Sequence, residues 1–221
     1  MGLVQSKSTS QASGATLPLT FNSTPSVKNT IIAVGSSTVA ADTLAISDGV
    51  NSYTALTAIQ NAAPSLVTRL FHFINLVTPS STLTLSGITG ASQLAIHEFS
   101  GIISFDVAAN ANGTSTNADS GGATTTKKPD LLFGYAASKF VGSLAAVVAN
   151  SPFNTAENLI DATNLISILT GWQEVGSTGI FDFTSTISLG KASSVDWASQ
   201  IAGFLESNVN TSHQQIRMHN A

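Results

Sequence analysis

The chain has 221 residues, 43% of them apolar and only 9% charged, with a formal net charge of −4. Eight Lys and Arg residues are too few for the dense basic patch that phosphate neutralisation demands, so nucleic acid is not an expected partner. The absence of Cys excludes disulfides and thiolate-held zinc or iron–sulfur centres.

Ser and Thr make up about a quarter of the residues, so the surface is built of hydroxyls, amides and Gly rather than Lys and Glu. Such a composition lacks strong helix formers and suits pleated strands. The opening stretch Met1 to Lys7 has no charged start followed by an apolar core, so no signal peptide is expected. Gly2 followed by Ser6 loosely fits a myristoylation pattern. No run of about 18 apolar residues is present, and no membrane span is expected.

In chain order, Leu17, Leu19 and Phe21 alternate with Thr16 and Thr20, the period-two signature of a half-buried strand. Ile31 to Val34 and Leu66 to Leu76 are apolar on both faces, as central strands are. Leu83 and Leu85 alternate with Thr82 and Thr84, and Leu94 to Phe99 is again mixed. Residues 109–128 are a low-complexity Ala, Asn, Gly, Ser and Thr stretch and are expected as an exposed loop. Leu131 to Ala136 predicts another strand. Asn154-Thr155-Ala156-Glu157 has capping-box spacing, which predicts a short helix over Ala156 to Leu165, with a long loop as the alternative. Phe181, Phe183, Ile187 and Leu189 alternate with Asp182, Thr184, Thr186 and Ser188, and Trp197 to Leu205 closes the series. Turn signals at Pro25, Asp48-Gly49, Pro79, Ser86-Gly87, Gly121-Gly122, Gly176 and Gly190 separate the segments. The expected fold is all-β: a two-sheet antiparallel β-sandwich, jelly-roll-like, with at most one short helix. It is expected to form one domain over residues 1–206, followed by a tail or arm at 207–221.

Several residues invite a chemical reading. His97 and Glu98 are adjacent, but neighbours on a strand point to opposite faces, so they form no dyad. Asp48, Asn51 and Asp106 offer oxygens for calcium, yet carboxylates are sparse and Asp48-Gly49 is sufficiently explained as a hairpin turn. Asp182, Glu98, Asp106 and Glu174 are the possible members of a glycosidase pair, and no spacing joins them. No Gly-x-Ser-x-Gly elbow is present. Trp172, Trp197, Tyr53 and Tyr135 are the aromatic candidates for stacking on a sugar. Trp197 and Tyr135 read as core, and Trp172 as the exposed contact. The sequons at Asn22, Asn112 and Asn210 read as chance matches.

The strand series resembles a jelly-roll-like β-sandwich domain recurrent in tailed-phage virion proteins and large bacterial surface proteins. The resemblance runs over Thr16 to Phe21, Asn29 to Gly35, Asp48 to Tyr53, His97 to Gly101, Asp130 to Tyr135 and Ser194 to Ala198. The chain departs from it at 150–170 and after Leu205. The resemblance implies a virion or cell-surface setting and no catalytic residues.

The expected function is a non-enzymatic structural protein of a virion surface, a head-decoration or fibre-type component. The alternative is a carbohydrate-binding module or adhesin, extracellular or on a cell surface. No cofactor and no metal is expected. The expected partners are other copies of the chain, in a trimer by analogy, and other virion or surface proteins, with a surface glycan under the alternative. The partner-binding candidates are Phe71, Phe73, Trp172, and, in the tail, Ile216, Arg217 and Met218, with His213 and His219 as polar contacts.

Overall fold

The computed structural model describes residues 1–61, 65–128, 130–190 and 194–206. The tail candidates Ile216, Arg217 and Met218 lie outside them. The chain is all-β and antiparallel, with no helix among the described residues. The first half carries β1 (Gly2–Gln11), β2 (Thr16–Thr20), β3 (Thr30–Ser37), β4 (Ala45–Ser47), β5 (Thr54–Ala55), β6 (Ile59–Asn61), β7 (Leu66–Phe73), β8 (Thr82–Ser86) and β9 (Ser92–Ser100). The second half carries β10 (Ile102–Thr114), β11 (Asn117–Asp119), β12 (Ala123–Thr124), β13 (Asp130–Val141), β14 (Leu144–Ala149), β15 (Asn154–Asp161), β16 (Ile166–Val175), β17 (Ile180–Phe181), β18 (Thr184–Leu189) and β19 (Ser194–Glu206).

These strands form two large sheets, β1-β9-β3-β7-β5 with β6 on β7, and β10-β19-β13-β16-β15. Two small sheets, β2-β8-β4 and β11-β18-β14, and a β12–β17 ribbon complete the fold. Side-chain packing orders them in layers. Ile32, Val34, Leu70, Ala95 and Phe99 of the first large sheet meet Leu131, Phe133, Tyr135, Ala198 and Phe204 of the second. The other face of the first large sheet (Ile31, Ala33, Phe71, Leu94, Ile96) meets Leu17, Leu19, Leu83 and Leu85 of the small sheet over it. The other face of the second large sheet (Leu132, Ala136, Leu169, Trp197, Ile201) meets Val147, Phe183 and Ile187. The large-sheet strands are apolar at successive positions because both of their faces are covered.

The two halves share one topology. Strand orders β1-β9-β3-β7 and β10-β19-β13-β16 correspond element by element, as do β2-β8-β4 and β11-β18-β14. The registers run in parallel from the same starting pairs. Leu3 pairs Phe99 as Ile102 pairs Glu206, Gln5 pairs Glu98 as Ser104 pairs Leu205, and a bulge intervenes in each, at Val4 and at Ile103. Gly35 lies opposite Leu94 and Arg69 as Gly134 lies opposite Ile201 and Gly171. At both glycines a side chain from the small-sheet layer occupies the space a Cβ would need, Leu85 of β8 over Gly35 and Phe183, just before β18, over Gly134. Contacts between the halves respect the same exchange. On β1, Ser6 and Ser8 donate to the Glu157 carboxylate of β15 at 2.5 and 2.7 Å. At the opposite border, Asn61 next to β7 donates to Gly113 O of β10 at 3.1 Å, and Asn112 donates to Gln60 O at 2.8 Å. One residue, Gly101 at φ +80°, joins the halves.

Two local expectations are corrected. Residues 154–161 form strand β15, not the start of a helix, because pairing with β16 outweighs local propensity. Glu157 leaves its capping role for the Ser6 and Ser8 hydroxyls, and Asp161 makes the turn by accepting from Thr163 N and Asn164 N. Residues 109–128 are not one loop. β10 runs through Thr114, with Ala109 and Ala111 packed inward and Asn110 and Asn112 exposed. The period of two was present there, written in side chains too small to register as apolar strand.

Candidate functional site

His97 and Glu98 lie on opposite faces of β9, as strand geometry requires. His97 is fully buried between the large sheets, with Nδ1 3.3 Å from Ile32 O, Nε2 2.9 Å from the Thr170 hydroxyl, and its ring edge-on to Phe133. Burial lowers its pKa to about 3, so it is a neutral packing residue. Glu98 is buried on the other face, where its carboxylate accepts from Gln5 Nε2 at 2.6 Å, Ser26 N at 2.7 Å and Asn29 Nδ2 at 2.6 Å. Three donors to one carboxylate clamp β1 and the β2–β3 connection onto β9.

Asp48 and Asn51 do share a turn, but the turn consumes them. Asp48 accepts from Val50 N, Asn51 N, Asn51 Nδ2 and the Tyr53 hydroxyl. These bonds hold its pKa below the usual carboxylate value against the opposing pull of desolvation. Asp106 belongs to a different place, where it binds Thr126 through its backbone N–H at 2.7 Å and its hydroxyl. Glu174 is exposed near the end of β16, and Asp182 is exposed between β17 and β18. Among the described residues no three His, Asp or Glu side chains converge as a metal-binding set.

Of the aromatic candidates, Tyr135 and Trp197 are buried, and Tyr53 is half-buried beside Phe73 at 5.8 Å. Phe71 is 2% exposed and packs under the first small sheet with Arg69 over its ring at 5.7 Å. Its run is apolar on both faces because the chain itself covers both. Phe73 is half-buried against the same cluster, and Trp172 is half-buried with its ring edge-on to Phe99 at 6.0 Å. The structure therefore does not gather Trp172, Trp197, Tyr53 and Tyr135 into a stacking platform.

The surface feature that sequence reading missed is the outer face of the first small sheet. Leu83 and Leu85 point inward, so Thr82, Thr84 and Ser86 point outward. Register sets Thr20 beside Thr82, with their hydroxyls 2.8 Å apart, and Pro18, Thr84 and Ser47 in one row. Ser47, Asp48, Gly49, Ser80, Thr82, Thr84 and Ser86 line an open groove of about 480 Å³. The alternation of Thr and Leu in 82–86 was the signal: the inward half was read, the outward half was not. Such a face offers hydroxyl donors and acceptors with almost no charge to desolvate. Thr184 and Thr186 stand on β18 in the second half, where they bond Asn150. Comparison with known protein families, with curated proteins and with solved structures gives no match.

Proposed function

We propose that this protein is a non-enzymatic structural module that docks into a larger assembly on a virion or cell surface through its uncharged, hydroxyl-covered outer sheet. The observation that carries the reading is the commitment of ionisable groups to the fold: Glu98, Asp48 and His97 are each fixed by the chain's own donors or acceptors, while the outward positions of β2, β4 and β8 are uncharged, mostly Thr and Ser with Pro18 and Ala45 among them. A face of this kind loses little solvation on contact and can pair its hydroxyls with a partner's backbone or amides. The resemblance to phage virion and bacterial surface domains supports the same setting. The carbohydrate-binding alternative is favoured by the groove at Ser80 to Ser86, although none of the described residues that line it is aromatic.

Sedimentation velocity over a concentration series, on the chain and on Thr84→Arg, tests the reading. The expected result is a concentration-dependent homo-oligomer, a trimer by analogy, that Thr84→Arg dissociates without lowering the melting temperature. A wild-type chain that stays monomeric throughout and binds an immobilised glycan in the Thr84 groove overturns it in favour of the alternative.

A further inference from the structure

Within the stretch of β10 that matches Leu3 to Gln11 of β1, one residue has no counterpart. Ser6 pairs His97 as Phe105 pairs Phe204, and Lys7 pairs Ile96 as Val107 pairs Gly203. Between Phe105 and Val107 stands Asp106, an added residue that forms a second bulge present only in the second half. Bulges re-aim side chains, and they gather next to functional sites. This one turns Asp106 toward Thr126 and toward Asp130, the first residue of β13.

Asp130 is 0% exposed, and neither of its carboxylate oxygens has a hydrogen-bond donor. Its polar neighbour is the Asp106 carboxyl, and two ionised carboxylates have no proton to share. A buried carboxylate without a donor is strongly unfavourable in an ordinary interior, so it persists only where something compensates it. The flanking Lys127 and Lys128 do not, since neither forms an ion pair with it. Elsewhere in the chain the pattern is the reverse. Glu98, Asp42, Asp48 and Asp161 all accept two or more bonds from nearby donors.

We propose that Asp106 and Asp130 form a binding site for a hard divalent cation of calcium's class, with the Thr126 hydroxyl oxygen beside them and water completing the shell. Oxygen-only ligands, two carboxylates and one neutral hydroxyl suit such an ion, which tolerates irregular geometry. Burial of Asp130, the charge of Asp106 and hydrogen bonding between the two carboxyls push the Asp130 carboxyl up, to about 6, in the metal-free chain, where a proton stands in for a positive charge. The ion would tie β10 and β13, which do not pair directly, across the intervening β19.

The test uses the full chain, stripped with chelator, titrated with calcium chloride by calorimetry and followed by thermal melting. One saturable site is expected, with a dissociation constant on the order of 10⁻⁴–10⁻³ M, together with a rise in melting temperature that grows with calcium. Asp130→Asn and Asp106→Asn are each expected to weaken binding tenfold or more, and Asp182→Asn, an exposed carboxylate elsewhere, to leave it unchanged. Metal-free Asp130→Asn is expected to melt above the metal-free wild type, since its amide can donate to Asp106. If Asp130→Asn does not fold, Asp106→Asn decides alone. Calcium binding that survives Asp106→Asn overturns the proposal. So does a wild-type melting temperature at pH 7 that ignores calcium, which would assign the pair a shared proton instead.

Discussion

Replacing Gly134 by Ala places a methyl group into space that Phe183 already fills. The added Cβ would stand 2.2 Å from both Cγ and Cδ2 of Phe183 and 2.5 Å from its Cβ. A side chain struck at its tip can rotate away, but one struck at its own Cβ must take the backbone with it. Phe183 is held there on both sides: its N–H donates to the Ser120 hydroxyl at 2.8 Å, its carbonyl accepts from Ser120 N at 3.0 Å, and its ring stands edge-on to Phe153 at 5.0 Å. Overpacking of this kind costs about 3 kcal/mol, at the upper end of its usual range, and Ala returns only a few tenths through lower chain entropy. In a chain of this length that corresponds to a fall of roughly 6–12 °C in melting temperature. Gly35→Ala is the built-in comparison. There the nearest atoms are the two methyls of Leu85, at 2.6 and 3.1 Å, which can swing aside, so about 1 kcal/mol is expected. Urea unfolding of both variants, with Gly134→Ala/Phe183→Leu to complete the cycle, measures the difference. If Gly35→Ala costs as much as Gly134→Ala, or Phe183→Leu restores nothing, the packing account of these paired glycines is refuted.

Glu98→Ala leaves Gln5 Nε2, Ser26 N and Asn29 Nδ2 without their acceptor, and a loss of about 3 kcal/mol in urea unfolding is expected; a loss under about 1 kcal/mol would mean that water replaces the carboxylate. Stability should fall as pH drops below about 6.5, because the unfolded chain protonates its histidines first while His97 stays neutral down to about 3, and His72, also lowered by burial, acts in the same direction. The His97 contribution approaches roughly 1.4 kcal/mol per pH unit, so His97→Gln should flatten the slope between about pH 6 and 4.5, and an unchanged slope refutes the assignment. Asp130 works the other way in metal-free protein: its folded pKa, raised to about 6, lets the folded chain take a proton first and gain stability as pH falls over that window. Asp130→Asn should therefore steepen the acid-side loss, and urea midpoints at three or four pH values read both effects.

The all-β class was legible because it rests on composition and period, both of which are local. Thr and Leu alternating at 82–86, and Phe183, Ile187 and Trp197, appear in the structure where the pattern put them. The duplication was not legible. Residues 30–37 read Thr-Ile-Ile-Ala-Val-Gly-Ser-Ser, while their equivalents in β13 share little beyond Gly134, because a covered strand accepts any apolar side chain of suitable volume. The bulge at Asp106 was hidden for a different reason. A single extra residue in a strand changes no composition, and it becomes visible only when register against β19 is known. The partner candidate Phe71 misled because a run apolar on both faces looks the same whether its second face awaits another protein or another sheet of the same chain.

The single-residue junction at Gly101 has a consequence for synthesis. The first half leaves the ribosome with Ile32, Val34, Leu70, Ala95 and Phe99 uncovered, and the strand that will cover their centre, β13, begins about thirty residues later in translation. The short tether then presents that strand at an effective concentration of roughly millimolar or more, which strangers in solution do not match. A chain interrupted between the halves loses this protection. Its first half carries the same open face as every other interrupted copy, and those fragments would close on one another in the place reserved for their own missing half.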